Sequence, residues 1–404
     1  MKILLSAYAC EPNRGSEPSV GWNWAKELAR LGFDVWVLTR ANNRDAIENA
    51  LADCPADNLH FIYFDLPRAI LFWKRKKRGV HLYYLLWQIG AAIVSFRMHA
   101  SLKFDLAHHV TFVGVRAPSW LWLLGIPFVF GPIAGGENAP GPLRASYPLH
   151  CAIRDFLRDC SNLWVRVSPA MRATFASAKY IVVTSNQTAA LVPSKYRHKV
   201  AIRLGIGIEA NIVNKGLRLR QAKPRQLLFV GELLYLKGVH FALYVLHFLV
   251  REYGDYTLTV VGDGPDADWL HRLADKLGLN DYVTWKPWVP REMVLNSYSE
   301  HDLLIFPSLH DSGGMVVLEA LASGLPVVCL DLGGPGVIVN DTCGRAVSTK
   351  NRSEKELIDA LVIAIRDITL ESDVYSDACK GAIDRVRDFV WSNKSEEFVS
   401  SFYN

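Results

Sequence analysis

Two carboxylates lie eight positions apart, Asp311 and Glu319, with the glycine pair Gly313 and Gly314 between them. Glycines at the start of a helix let backbone N–H groups approach an anion, and the positive end of the helix dipole favours phosphate. Carboxylates repel phosphate, so these two are expected to bind hydroxyl groups. The pattern predicts a site for a phosphate, a sugar and a ribose. The alternative is a helix cap at Asp311 and a surface acid at Glu319.

A second glycine segment follows a predicted strand and opens a predicted helix. Its Gly262 and Gly264 fit a relaxed form of the dinucleotide-binding fingerprint, which would indicate an oxidoreductase. Asp263 and Asp266, however, would place two negative charges against a pyrophosphate, and Pro265 lacks a donor N–H. A nicotinamide-dependent oxidoreductase is therefore disfavoured.

The elements that must position these residues alternate between strand and helix patterns along the chain. Apolar runs bounded by helical patterns predict parallel sheets covered on both faces. Strands are predicted at 2–9, 34–39, 59–65, 105–110, 127–130 and 180–184, and again at 227–230, 256–261, 283–285, 303–306 and 327–330. Helices are predicted between the later strands at 238–253, 266–277, 291–299 and 314–323.

A polar and basic segment at 211–225 separates the two alternations. We therefore predict an α/β protein with two Rossmann-like, doubly wound domains, at 1–205 and 206–385, and a C-terminal helix at 386–404 that crosses back to the first domain. Ligands bind at the carboxyl ends of the strands in such sheets, which predicts a cleft between the two domains.

The composition excludes several classes of protein. Half of the 404 residues are hydrophobic and 11% are aromatic, which excludes a disordered chain. The seven cysteines form no CxxC pair, which argues against a disulfide framework or a structural zinc site and favours a reducing, cytoplasmic location. Residues 66–104 hold eight basic side chains and no acidic one, whereas the whole chain carries a net charge of +5.

The segment from Pro307 to Val328 resembles the signature of the family 4 glycosyltransferases, which use nucleotide sugars and have the GT-B fold of two facing Rossmann-like domains. The hallmark of that family is E-x(7)-E, and here Asp311 replaces the first glutamate. The matching positions are Pro307, Ser308, Asp311, Gly314, Glu319, Ala320, Ala322, Gly324, Pro326, Val327 and Val328.

The resemblance implies a donor site in the C-terminal half. Lys237 matches the family lysine that clasps the diphosphate, whereas Glu232 occupies the position of the family arginine and receives no such role. The family's V-G-x-G-P segment lies near the nucleotide base. The implied donor-binding residues are Gly15, Gly231, Lys237, Gly262, Gly264, Pro265, Asp311, Gly313, Gly314, Met315, Val316 and Glu319.

The resemblance also assigns residues in the N-terminal half. Gly15 lies in a loop like the one beneath the donor phosphates. His108 and His109 follow the family's D-x-x-H-x-H pattern, with only His108 in register, so which histidine orients the donor sugar stays open. Gly135, Gly136 and Glu137 are expected on the acceptor side.

The chemistry implied by the resemblance is hexose transfer with retention of anomeric configuration. It needs neither a protein nucleophile nor a cofactor, and no metal cluster is visible in the sequence. The catalytic residues would be His108, His109, Lys237, Asp311 and Glu319. The donor would be a UDP- or GDP-sugar and the acceptor a saccharide or lipid-linked hydroxyl, in polysaccharide or lipopolysaccharide synthesis.

Two other functions remain open at this point. A nucleotide-sugar epimerase of GT-B shape would share the nucleotide site. A basic adaptor without catalysis would bind a membrane through residues 66–104, whose basic residues lie among apolar helical ones. That stretch does not form an aromatic stacking platform, so nucleic-acid binding is not expected. Membrane binding is also compatible with a transferase at the inner face of the cytoplasmic membrane.

Overall fold

A computed structural model of the chain describes residues 1–12, 14, 17–67, 79–112, 114–144, 147–213 and 225–404. The described helices are α1 (Glu17–Arg30), α2 (Arg44–Asp53), α3 (Val80–Leu102), α4 (Leu149–Val167), α5 (Pro169–Ser177), α6 (Asn186–Leu191), α7 (Val239–Tyr253), α8 (Ala267–Lys276), α9 (Arg291–Glu300), α10 (Met315–Ala322), α11 (Pro335–Ile338), α12 (Glu354–Thr369), α13 (Ser372–Arg387) and α14 (Trp391–Phe402). The described strands are β1 (Lys2–Ala7), β2 (Asp34–Thr39), β3 (Leu59–Tyr63), β4 (Leu106–Thr111), β5 (Phe128–Ile133), β6 (Tyr180–Val183), β7 (Val200–Ile202), β8 (Gln226–Val230), β9 (Thr257–Val261), β10 (Val283–Lys286), β11 (Leu303–Phe306), β12 (Val327–Leu330) and β13 (Gly344–Val347).

The strands form two parallel sheets, which confirms the predicted doubly wound architecture. The first has the order β3-β2-β1-β4-β5-β6-β7, and the second has the order β10-β9-β8-β11-β12-β13. All four residues of β11 and of β12 are buried, as expected for strands covered on both faces.

Each sheet has a topological switch point, where chain connections leave in opposite directions from neighbouring strands. In the second sheet this point lies between β8 and β11, which pair through Leu227 and Leu303. The carboxyl ends of strands at a switch point leave a crevice in which ligands bind. Both segments singled out by the sequence, the one with Lys237 and the one with Asp311, follow these two strands.

The chain divides into two compact units. Unit 1 comprises 1–136, 159–206 and 391–404, and unit 2 comprises 137–158 and 207–390. The predicted domains end at 205 and 385, whereas the units change after 206 and after 390, and residues 137–158 lie in unit 2. Residues 137–158 group with unit 2 because their side chains contact it: the ring of Tyr147 packs edge-on against Tyr235, with 5.0 Å between the centroids.

Core packing in unit 1 involves both faces of its sheet. One core contains Tyr83, Trp87 and Phe130, and the other contains Trp24, Leu28 and Phe398. Helix α14 contributes Trp391, Phe398 and Phe402 to this second core. Within the described residues, no helix has both the length and the apolar character needed to cross a bilayer.

Candidate functional site

The switch point of unit 2 carries an ion pair. Lys237 follows β8, and its Nζ donates to Oδ2 of Asp311, which follows β11, at 2.7 Å. The other oxygen of Asp311, Oδ1, accepts from the backbone N–H of Gly313 at 3.1 Å and of Gly314 at 2.7 Å. One carboxylate is therefore held by a cation and by two amides at the start of α10. This is the environment that a helix N-terminus offers to a bound anion.

Glycine is required at two positions that shape this site. Gly314 has φ +79°, and a Cβ there would lie 2.8 Å from Cδ1 of Ile338. Gly238, directly after Lys237, has φ +77°, and a Cβ would lie 2.0 Å from the carbonyl oxygen of Pro307. Any side chain at Gly238 would push apart the two loops that bring Lys237 and Asp311 together.

Glu319 lies on α10 and is almost fully buried. Arg291 Nε donates to its Oε1 at 2.8 Å, and the hydroxyl of Tyr298 donates to its Oε2 at 3.2 Å. Burial, together with the neighbouring carboxylate, raises the pKa of Tyr298 well above its usual value, so this hydroxyl stays a donor. A carboxylate has about four lone-pair directions, so Glu319 retains capacity for a ligand hydroxyl.

More positive charge surrounds Asp311 than the sequence pattern indicated. The neighbouring ring of His310 contacts Arg158, with Nη1 and Nδ1 separated by 3.1 Å. Burial is the main cause of a lowered pKa of His310, and together with the charges of Arg158, Lys237 and Arg154 it brings this pKa to about 3. The imidazole is therefore neutral at physiological pH, and the fixed positive charges at this end of unit 2 belong to the arginines and Lys237.

A cavity of about 810 Å³ opens at the ends of β8 and β9. It brings together three glycines of the predicted donor set, Gly231, Gly262 and Gly264. A Cβ at Gly262 would lie 1.9 Å from the carbonyl oxygen of Gly231, so glycine is needed where these two loops meet. The remaining lining residues are Val230, Glu232, Val261, Asp263, Trp288, Val289 and Val294.

The two aspartates of this glycine segment accept hydrogen bonds from backbone N–H groups of the protein. Asp263 Oδ1 accepts from the N–H of Gly264 at 2.7 Å, and Asp266 Oδ2 accepts from the N–H of Tyr235 at 2.6 Å. Pro265 lies between them in the turn before α8. Glu232, which replaces the family arginine, is exposed at the cavity wall. Met315 and Val316 form the first turn of α10 and are partly exposed.

The two histidines of unit 1 point to opposite faces of the first sheet, and both are fully buried. His108 contacts the hydroxyl of Tyr403 through Nδ1 at 2.5 Å and the carbonyl of Gly131 through Nε2 at 2.8 Å. His109 contacts the hydroxyl of Tyr84 through Nε2 at 3.0 Å. Burial lowers the pKa of each to about 3. Both rings are thus neutral and held by protein groups, and the assignment of a catalytic histidine stays a prediction.

The predicted acceptor-side residues lie in two units. Gly135 and Gly136 belong to unit 1, where the N–H of Gly136 donates to Oγ1 of Thr188 at 3.1 Å. Glu137 belongs to unit 2, is buried, and its carbonyl accepts from Arg158 at 3.0 Å. The predicted donor residue Gly15 lies outside the described residues.

Sequence reasoning missed several residues at the site. Trp288 offers an exposed aromatic face to the cavity, and Arg291 and Tyr298 hold Glu319. In unit 1, the carboxylate of Glu17 accepts from the backbone N–H of Phe112. Burial raises the pKa of Glu17. Nothing in the local sequence marks these residues, since their partners lie in other segments.

The described residues contain no group of three or more His, Cys, Asp or Glu side chains that could hold a metal ion. The expectation of a metal-free site rests on the family resemblance and stays a prediction.

The chain is similar to known glycosyltransferases in part of its sequence and in its fold. Residues 216–378 match the model of the family described as glycosyl transferases group 1. Glycogen synthase of Mycobacterium tuberculosis is 29% identical over 187 residues, which cover 46% of this chain and 44% of that protein. The chain therefore spans less than half the length of this curated relative.

Solved structures cover the whole chain. Sucrose-phosphate synthase of Thermosynechococcus elongatus superposes with a TM-score of 0.64 and 17% identity, covering 100% of this chain and 98% of that one. The Anabaena protein HepE, solved with UDP and glucose, has a TM-score of 0.55 and 16% identity, covering 99% of this chain and 100% of that one. The chain thus has the GT-B fold, and its residues 216–378 are similar to the group 1 glycosyl transferases.

Proposed function

We propose that the protein is a retaining hexosyltransferase of the family 4 type, which takes its sugar from a nucleoside diphosphate. The observation that carries this proposal is the arrangement of Lys237, Asp311 and the amides of Gly313 and Gly314. It lies at a switch point, beside a cavity large enough for a nucleotide, in the region that matches the group 1 glycosyl transferases.

The diphosphate would occupy the place that the Asp311 carboxylate holds in this structure. Lys237 and the two amides are already oriented toward a negative charge, so they would stabilise the charge that develops on the leaving diphosphate. Asp311 would then be free to accept a hydrogen bond from a hydroxyl of the hexose. Arg158, which contacts His310 beside Asp311, adds a second positive charge. The family arginine that would supply this charge is replaced here by Glu232.

The nucleoside would lie in the cavity lined by the three glycines. Trp288 and Val294 provide apolar surface for a base, and Glu319 would bind the ribose hydroxyls. In this scheme the departing phosphate oxygen takes the proton of the acceptor hydroxyl. The acceptor oxygen then bonds to the anomeric carbon on the same face of the sugar that the diphosphate leaves, so the anomeric configuration is retained. No covalent bond to the protein forms, so the role of the chain is electrostatic.

The acceptor would be a saccharide or a lipid-linked hydroxyl, in polysaccharide or lipopolysaccharide synthesis. We further propose peripheral contact with anionic lipid through 66–104, at the inner face of the cytoplasmic membrane. Residues 68–78 of that stretch lie outside the described residues. In α3, which is described, one apolar stripe is exposed: Leu82, Leu85, Ile89, Ile93 and Phe96.

The function is tested by incubating the protein with UDP- and GDP-hexoses, with and without candidate acceptors. We expect transfer only with acceptor, and proton NMR of the product should show the anomeric configuration of the donor. Turnover of free sugar nucleotide into its epimer would instead indicate an epimerase. Binding of vesicles without nucleotide binding would indicate an adaptor, and inverted product would contradict retention.

A further inference from the structure

Helix α4 buries polar side chains together with Cys151 and Val165, and leaves most of its large apolar side chains exposed. The buried positions include Asp155 and Asn162, which are 1% and 8% exposed. The exposed positions carry large apolar side chains that are 52% to 77% exposed: Leu149, Ile153, Phe156, Leu157, Leu163, Trp164 and Val167. A helix that packs against a protein core normally has the reverse arrangement.

These seven side chains form one stripe, because their spacings of three, four and seven positions return to the same helix face. Together they expose several hundred square ångströms of apolar surface, the size at which a patch indicates a binding surface. Among the described residues, α3 exposes a comparable stripe, whereas the exposed apolar residues of unit 2 outside α4, such as Ile363 and Leu370, do not.

A second apolar surface lies in the same unit as the C-terminal part of α4. The guanidinium of Arg116 donates to Asn162 of α4. A few residues later, Trp120 and Leu123 line an apolar groove of about 500 Å³ together with Ile89, Ala92, Ile93, Phe96 and Arg97 of α3. The segment from Arg116 to Leu123 therefore contacts both helices.

The charges around these surfaces favour a lipid bilayer as the occupant. Among the described residues, Arg97 of α3 is exposed and lines the apolar groove. On α4 itself, Arg154 and Arg166 are exposed, and Trp164 lies in the stripe. Apolar side chains bordered by cations, with an aromatic ring among them, are characteristic of helices that lie in the membrane interface.

We propose that α4 lies in the interface of a membrane that contains anionic lipid, with its apolar stripe among the upper acyl chains. This extends the proposed membrane contact at 66–104 to a second element. The two contacts differ in physical origin. The basic stretch acts through charge, which salt screens, whereas the α4 stripe acts through apolar burial, which salt does not weaken.

The chain contains a natural probe for this proposal. Of its seven cysteines, only Cys54 and Cys160 are exposed, and Cys160 lies on α4. In a Cys54→Ser variant, Cys160 can be labelled with an environment-sensitive nitrobenzoxadiazole dye. On vesicles of phosphatidylethanolamine and phosphatidylglycerol we expect brighter, blue-shifted emission, and quenching by lipids that carry a spin label in the acyl chain.

The matched control is Cys160→Ser, labelled at Cys54, whose emission should not change. The proposal is overturned if the Cys160 label stays water-like on vesicle-bound protein, or if the protein does not bind vesicles. It is also overturned if the emission shift appears without lipid and grows with protein concentration, since a second copy of the chain would then cover the stripe.

A double variant, Phe156→Ser with Leu163→Ser, should lower vesicle affinity at least ~10-fold at high salt, where charge is screened. Ile363→Ser with Leu370→Ser is the control and should leave affinity unchanged. Replacing Arg97 and Lys103 by glutamate tests the basic contact separately, because its loss should remove only the salt-sensitive part of binding. Equal affinity of the Phe156/Leu163 variant and wild type would contradict the role of α4.

Discussion

Two lysines, one in each unit, show how differently the two parts of this molecule use the same side chain. Lys237 of unit 2 is partly exposed at the end of a strand and pairs with the Asp311 carboxylate at 2.7 Å. Lys394 of unit 1 is 6% exposed, and its ammonium donates to the carbonyl of Leu204. It also lies 4.8 Å from the centre of the Trp24 ring.

The difference is electrostatic. Burial lowers the pKa of Lys394 to about 7, so its charge is costly and can be lost near neutral pH. Lys237 keeps an anionic partner and access to solvent. A solvent-accessible lysine near two backbone amides can hold a phosphate, whereas a buried lysine between an indole and a carbonyl stabilises packing. The comparison therefore assigns ligand chemistry to Lys237 and a structural role to Lys394.

The strongest test of this comparison is Lys237→Ala. If Lys237 stabilises the leaving diphosphate, turnover should fall at least ~100-fold, as when one preorganised donor is removed from a transition state. Steady-state kinetics would measure the loss, with the donor that the assay of UDP- and GDP-hexoses identifies. Circular dichroism would check the fold.

Lys380→Ala is the control for Lys237→Ala, since Lys380 is an exposed lysine of the same unit that pairs with Asp377 at 3.2 Å. It should keep wild-type turnover. Near-normal turnover of Lys237→Ala would remove the lysine from the mechanism.

Lys394→Met tests the structural half of the comparison through pH. The folded-state pKa of about 7 lies below that of the unfolded chain, so the unfolded state binds more protons between about pH 7 and 10. The contribution of Lys394 to the free energy of unfolding should therefore rise with pH in this window, by up to ~1.4 kcal/mol per pH unit.

Urea unfolding from pH 7 to 9 should show this slope in wild type relative to Lys394→Met. Lys380→Met should keep the wild-type slope, and parallel curves for Lys394→Met and wild type would contradict the burial argument.

The two lysines also show what the sequence can predict. Lys237 was identifiable because its neighbours are local: a strand before it, a glycine after it, and the family pattern around both. The same holds for Asp311 and Glu319. The partner of Lys394 lies 190 positions away, and Arg158 lies 152 positions from His310, so no local pattern marks either contact.

Helix α4 illustrates a related limit. No helix is predicted there from the sequence, and the helical spacing of its apolar residues does not tell which face is turned toward the protein. That depends on the polar groups Asp155 and Asn162 and on the segments that pack against them. The fold was predictable because a chain of alternating strands and helices can form only a few arrangements of a parallel sheet. The grouping of residues 137–158 with unit 2 was not, because it depends on contacts such as the one between Tyr147 and Tyr235.

The prediction with the smallest expected effect concerns Glu319 and the binding of ligand by unit 2. If Glu319 binds the ribose, Glu319→Gln should weaken nucleoside diphosphate binding about 10-fold, because a hydrogen bond to a charged acceptor becomes a neutral one. Titration calorimetry would measure this against Glu292→Gln, an exposed glutamate in the first turn of α9 that should bind normally.

A structural role for Glu319, through its bonds to Arg291 and Tyr298, would also weaken binding, so affinity alone does not separate the two roles. A 2′,3′-dideoxy nucleotide separates them because it lacks the hydroxyls that the carboxylate would bind. A direct contact predicts that Glu319→Gln and wild type bind this analogue equally. An equal loss for both nucleotides would instead mean that Glu319 only fixes α9 against α10, and ligand contact at the switch point would then be limited to Lys237, Asp311 and the glycine amides.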